Sequence, residues 1–205
     1  MAGCKFTYFD GAGRATPARV ALFKAFGGDW EDERIDWATF QKMKADGDFP
    51  LGSVPVLTLK DGRKVVQSEA IARWAGRQGG LYPEDPTEAL LVDEAVTTFF
   101  EVLGKCPQDP DPEAKKAKRE EYAAGWMKVA LTTMEKKYSD GGPFLIGSTL
   151  TLADLSLYCV VSMIVDGSFD HVPASYMEGF PALSKAAAQV KESPTMVAYY
   201  EKYKN

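Results

Sequence analysis

Apolar residues in the first eighty positions fall in short alternating runs. In the remainder they recur at three- and four-residue steps. Lys5–Phe9 reads as a strand and leads into a polar, glycine-rich turn, Asp10-Gly11-Ala12-Gly13. From Thr16 to Phe26 the positions of Val20, Leu22, Phe23 and Phe26 suit a helix, with Pro17 in its first turn and Gly27-Gly28 at its end. Glu31–Asp36 predicts a second short strand. Thr39–Lys44 predicts only a weak, mobile helical turn, because Ala45-Asp46-Gly47-Asp48 follows it. Val56–Lys60 and Lys64–Val66 flank Asp61-Gly62, a strong hairpin signal. A helix from Ser68 to about Gln78 closes this part at Gly79-Gly80. The order βαβ, loop, ββα describes a small α/β domain.

Beyond Pro83-Glu84-Asp85-Pro86, a linker by composition, strand signals vanish. Leu91, Val92, Ala95, Val96, Phe99, Val102 and Leu103 form a helical stripe within Glu88–Val102 and its end. Ala114–Tyr138 carries a second stripe through Ala123, Met127, Ala130, Leu131, Met134 and Tyr138. Leu152–Val165 is apolar nearly all round and predicts a buried central helix. Shorter helices follow near Leu183–Lys191 and Pro194–Tyr203. Thr151-Leu152-Ala153-Asp154 has the form of a capping box with Asp in place of Glu, a device for stability. The expected organisation is an α/β domain over residues 1–82, a linker over 83–87 and an all-helical domain over 88–205.

Composition narrows the function. The 205 residues are 45% apolar and 26% charged, ordinary for a soluble globular chain. A net charge of −5 without a basic block argues against a nucleic-acid partner. The start, Met1-Ala2-Gly3-Cys4-Lys5, lacks the apolar run of a signal peptide, and no stretch approaches the ~18 apolar residues of a membrane span. Cys4, Cys106 and Cys159 are odd in number with no C-x-x-C spacing. They argue against a disulfide framework or a zinc site and fit a reducing, cytoplasmic setting. The single histidine, His171, leaves no basis for a His-centred triad or a His-rich metal site. Chemistry must therefore fall to Tyr, Ser, Cys, carboxylates or a bound cofactor.

Two short segments point to a ligand. Val54-Pro55 interrupts a strand signal where proline cannot donate to a ladder, so it marks a tight turn or a cis bond that leaves the preceding backbone free. Gln67-Ser68 stands just before a helix, with Ser68 as expected N-cap and the helix start behind it suited to an anion. A free backbone edge facing such a helix start suits a small peptide bearing a carboxylate.

Together Tyr8, Gly13-Arg14-Ala15, Pro17, Leu51-Gly52-Ser53-Val54-Pro55-Val56-Leu57, Gln67-Ser68-Glu69-Ala70-Ile71 and Thr151-Leu152-Ala153-Asp154 resemble the soluble glutathione transferases, over nearly the whole chain. Tyr8 before Phe9-Asp10 and the Gly-Arg-Ala turn look most like the sigma class, which includes glutathione-dependent prostaglandin isomerases and lens crystallins. The resemblance implies a thioredoxin-like amino-terminal domain, a helical carboxy-terminal domain and glutathione as co-substrate, with no metal.

The implied chemistry needs a thiolate. An ordinary thiol with pKa ~8.5 is only a few per cent ionised at neutral pH. Lowering that pKa by about 2 corresponds to about 2.7 kcal/mol, and a hydrogen bond to the thiolate acts in this direction. A phenol keeps its proton at neutral pH and can donate it. The resemblance gives this role to Tyr8, with Arg14 adding positive potential. A strand Tyr with its ring in the core, and an Arg14 paired with Asp10, are the plain alternatives. Gln67 and Ser68 would hold the γ-glutamyl carboxylate, and Val54, freed by Pro55, would pair with the cysteinyl unit as a short added strand. Gly52 and Ser53 would line the same edge.

One stretch departs from the sigma pattern of a Trp followed four residues later by a Lys at the glycyl end. Phe40 and Lys44 have that spacing, Trp37 and Lys42 lie nearby, and the loop to Pro50 is about two residues longer than the pattern. Phe has no indole N–H to donate, so that contact is lost or remade. Glu101 falls where the family takes a carboxylate for the glutathione amine from the neighbouring subunit, which implies a two-fold dimer; a solvent-facing acid is the plain alternative. The implied activity is conjugation of glutathione to a hydrophobic electrophile, held near Phe9, Leu103, Gly104 and the carboxy-terminal tail. An isomerase that regenerates glutathione, and a non-catalytic crystallin-like or scaffold protein, are the alternatives. The presence together of Tyr8, Arg14, Gln67 and Ser68 argues against the last, since a structural copy needs none of them.

Overall fold

In the computed structural model, which describes residues 3–140 and 142–203, β1 (Cys4–Phe9) is the strand around which the first unit is assembled. β2 (Glu31–Ile35) pairs with it in parallel, and β3 (Val56–Leu59) pairs antiparallel on its other side. β4 (Lys64–Val66) joins β3 through the hairpin, so the sheet runs β2-β1-β3-β4. Between β1 and β2 runs α1 (Ala15–Phe26), whose residues 15–22 are all buried. It packs along α3 (Ser68–Gln78). Phe6, Leu22, Leu57 and Ile71 are completely enclosed, each contributing about 2 kcal/mol of hydrophobic transfer. This unit ends at Tyr82.

The segment after β2 departs from its expected weak turn: it is a full helix, α2 (Trp37–Ala45). Asp36 supplies the missing start signal, its carboxylate accepting from Thr39 N at 2.7 Å. Phe40 then anchors the helix in a small cluster with Ile35, Phe49 and Val56. At the start of α3 the N-cap position is Gln67 rather than Ser68, and no side chain caps it.

The second unit begins at Pro83 and is helical. It contains α4 (Pro86–Gly104), α5 (Pro112–Tyr122), α6 (Lys128–Ser139), α7 (Leu152–Val165), α8 (Pro181–Glu192) and α9 (Pro194–Lys202). The single long helix expected over Ala114–Tyr138 is broken between α5 and α6 by a π-type turn at Ala123–Met127. Gly125 there leaves helical geometry (φ −96°, ψ −114°). The Ala123 carbonyl within that break accepts from Tyr176 Oη at 2.6 Å, which offsets the disrupted ladder. Glu135 on α6 accepts from the amides of Ala182 and Leu183, at 2.8 and 2.9 Å, and so caps the start of α8.

α7 is the central helix of this unit, packed by α4 and α8, with ten of its residues buried. Its start is held by Asp154, whose carboxylate accepts from Thr151 N (2.7 Å), Thr151 Oγ1 (2.8 Å), Leu145 N (2.9 Å) and Tyr138 Oη (3.1 Å). Burial pushes the Asp154 carboxyl up, against these four bonds, and pushes the Tyr138 phenol up as well. Asp154→Ala strands the buried amide of Thr151, the part-buried amide of Leu145 and a buried phenol. It is expected to cost about 3 kcal/mol, read as a lower urea midpoint at unchanged m-value. Loss of less than about 1 kcal/mol would mean the cap is dispensable.

Candidate functional site

The pairing register gathers the candidate residues of the first unit at one end of its sheet. Thr7 stands opposite Val56, and Val56 opposite Val66. Continuing each register by one residue sets Pro55 beside Tyr8 and Gln67 beside Pro55. Adjacent strands are ~4.8 Å apart, so Tyr8 and Gln67 lie about 10 Å apart across the strand start they share. β2 runs parallel to β1, with Phe9 opposite Ile35, so α2 also begins at this end.

Tyr8 is half-buried between aromatic neighbours, its ring 5.6 Å from Phe9 and 6.5 Å from Phe6, centroid to centroid. Its hydroxyl points to the following turn: a Cβ built on Gly13 would lie 3.5 Å from Tyr8 Oη. Gly13 has φ +52°, so a side chain at this position would be strained, with its Cβ in van der Waals contact with the phenol oxygen. The ring thus packs against Phe6 and Phe9 while the hydroxyl end faces the turn. Arg14 is half-buried at the N-cap of α1. Asp10 accepts from Arg34 Nη1 at 3.0 Å.

The Val54-Pro55 peptide is cis, and no backbone hydrogen bond engages Val54 among the described residues. Ser53 is exposed and Gly52 half-buried, with φ +63°. Lys44 folds over this loop: a Cβ on Gly52 would stand 3.4 Å from Lys44 Cε and 4.0 Å from its Nζ. The same ammonium lies 5.8 Å from the Phe40 ring centroid. Phe40 is buried, so it supports Lys44 rather than facing outward. Of the neighbouring candidates, Lys42 is tied to Asp46 at 2.7 Å, and Trp37 is 64% exposed, stacked on Phe9.

Gln67 carries the strained backbone of this end, with φ 74° and ψ 105° in a residue that is not glycine. Such conformations cost of order 1–3 kcal/mol and cluster at ligand sites. Ser68, the first residue of α3, is buried, and Glu69 beside it pairs with Arg73 at 3.3 Å. In the second unit, Glu101 is exposed and pairs with Lys105 at 3.0 Å.

The cysteines offer no ready nucleophile. Burial pushes the thiols of Cys4 and Cys106 up, and Cys159 is buried. His171 lies in a turn at φ +66°. No group of three His, Cys, Asp or Glu side chains that could hold a metal occurs among the described residues, and no described helix is long and apolar enough to cross a membrane. Arg19, Asp32 and Arg34, which surround the turn after Tyr8, were not singled out by sequence reasoning. The one available signal was a charged residue on the apolar run of α1, Ala15 to Leu22.

Residues 4–77 match the glutathione S-transferase N-terminal domain and residues 85–203 the glutathione S-transferase C-terminal domain. The chain is 35% identical to glutathione S-transferase 3 of Caenorhabditis elegans over 165 residues, covering 76% of this chain and 77% of that protein. S-crystallin 2 of Enteroctopus dofleini is 26% identical over 98% of this chain and 97% of its own. Among solved structures, prostaglandin synthase D of Nilaparvata lugens superposes with a TM-score of 0.82 at 25% identity, covering 97% of each chain. The chain belongs to the glutathione S-transferase family and is a glutathione transferase.

Glycine at position 67 relieves the backbone strain there at the cost of greater freedom in the unfolded chain. Gln67→Gly is therefore expected to leave the thermal midpoint unchanged or raise it by a few degrees, corresponding to about 1 kcal/mol or less. A drop of several degrees in calorimetry contradicts the assignment of strain.

Proposed function

We propose that this protein conjugates glutathione to hydrophobic electrophiles as a sigma-like, cytoplasmic enzyme, with Tyr8 donating its phenolic proton in a hydrogen bond to the glutathione thiolate. The observation that carries this reading is the convergence of Tyr8, the cis Val54-Pro55 edge and the Gln67-Ser68 helix start at one end of the sheet.

In this reading the γ-glutamyl carboxylate lies at Gln67 and Ser68, where the amides opening α3 favour negative charge. The free peptide groups of Val54, next to Pro55, pair with the cysteinyl unit, and Gly52 and Ser53 border that edge. Lys44, braced by Phe40, meets the glycyl carboxylate, so aromatic packing takes the place of an indole donor. Arg14 adds positive potential beside the sulfur. The thiolate attacks the electrophile and its bond to carbon forms as the leaving group departs. Tyr8 keeps its proton throughout, because its task is to stabilise the anion and not to titrate.

Removing the phenol hydroxyl deletes one hydrogen bond to a charged sulfur, about 1.5–3 kcal/mol. Tyr8→Phe is expected to lower kcat/KM for 1-chloro-2,4-dinitrobenzene roughly 10- to 100-fold near pH 6.5. The half-maximal pH should move up toward that of free glutathione, with glutathione affinity unchanged. An unaltered pH–rate profile rules out this role for Tyr8.

Glu101 completes the reading as the carboxylate for the glutathione amine, offered to the neighbouring subunit of a two-fold dimer. Sedimentation should then give a mass twice the 22.5 kDa of one chain, and Glu101→Gln should weaken glutathione binding about tenfold. A monomer that binds glutathione with full affinity excludes this assignment.

A further inference from the structure

One arginine lies inside the first unit where the packing calls for an apolar side chain. Arg19 is on the face of α1 that also carries Ala15, Ala18 and Leu22, and it is 2% exposed. Its Nε donates to Asp32 Oδ1 at 2.8 Å, its Nη1 to the Gly11 carbonyl at 2.5 Å and its Nη2 to the Phe9 carbonyl at 3.1 Å. The guanidinium carbon is 5.7 Å from the centre of the Tyr8 ring. Asp32, with 6% of its side chain exposed, accepts from Arg34 Nε at 2.9 Å through its other oxygen, and Arg34 extends to Asp10 at 3.0 Å.

Asp32 ties the two guanidinium groups together, and both of them reach the residues around the phenol. Phe9, Asp10 and Gly11, the three positions following Tyr8, are each held by a guanidinium, two through their carbonyls and one through its carboxylate. A buried ion pair is a poor device for stability alone, since apolar residues of the same volume often do as well or better. What it supplies is a fixed geometry. Here that geometry belongs to the turn toward which the Tyr8 hydroxyl points.

We propose that Arg19 is a positioning residue for thiolate activation, locking the turn after β1 so that the Tyr8 hydroxyl is held at the sulfur. This rests on the reading of Tyr8 as the thiolate's donor. A turn fixed through two carbonyls leaves the phenol little freedom to swing away, whereas a loosened turn lets the O–H···S contact lengthen. The thiol pKa then rises with no change in the residues that hold the tripeptide.

The test is a double-mutant cycle in the full-length enzyme, with Arg19→Lys made in the native and Tyr8→Phe backgrounds. Lysine keeps the charge but cannot bond both carbonyls and Asp32 in one plane. With native near-UV circular dichroism and glutathione affinity within about twofold, Arg19→Lys should lower kcat/KM about tenfold at pH 6.5 and raise the apparent thiol pKa. In the Tyr8→Phe background the same change should cost less than twofold. Equal losses in both backgrounds, or a loss without movement of the pH profile, would overturn the proposal. Should Arg19→Lys not fold, Asp32→Asn keeps both carbonyl bonds and should show the same dependence on background, with a loss of about threefold. No loss, or equal losses, with Asp32→Asn likewise overturns it. Failure of the Tyr8 reading is separately visible, as a Tyr8→Phe enzyme with the native rate and profile.

Discussion

The pairing of β3 against β1 is the constraint on which the candidate site depends. Phe6 stands opposite Leu57, and both are completely buried. A shift of the register by one residue would turn these side chains out of the core and carry every neighbour to the wrong face. The apolar interior of the sheet thus sets where Tyr8, Pro55 and Gln67 come to rest. The same packing leaves the chain beyond the paired residues free to adopt shapes that the core alone would not select, the cis peptide before Pro55 and the left-handed backbone of Gln67.

Two kinds of bonding divide the work around that interior. Hydrophobic burial, non-directional, holds the helices against one another and the sheet against α1 and α3. Directional bonds are concentrated where the chain changes direction: Arg19 on the turn after β1, Asp36 at the start of α2, Asp154 at the start of α7 and Glu135 at the start of α8. In each case a charged side chain satisfies backbone groups that a turn or helix end leaves without partners. The first is the odd one, since it is a cation serving carbonyls within a strand–helix connection.

Much of this was legible in the residues themselves. The four strands and the hairpin followed from alternation and Asp61-Gly62, and the central helix from the unbroken apolar run at Leu152–Val165. The cap at Thr151–Asp154 was readable because its spacing is local. α2 was not, because Asp36 resembled the end of a strand and the polar residues after Ala45 resembled a loop; its anchor, Phe40, acquires meaning only once Phe49 and Val56 are nearby. The break at Gly125 was hidden because a π-type turn preserves apolar spacing on either side. Ser68 looked like a cap, yet the left-handed turn of Gln67 moves that position back by one residue. The network through Arg19 joins residues 8 to 34, and no short motif reports a contact of that separation.

One of the two edge strands, β2, is spelled Glu-Asp-Glu-Arg-Ile. Its rim pairs with β1 on one side only, and four of its five side chains are acidic or basic. A second polypeptide laid along it would have to strip water from Glu31, Glu33 and Arg34, so the sheet resists extension there. The consequence is protection on that side: this flank of the sheet stays closed to fibril-like growth although its backbone has no partner strand there among the described residues.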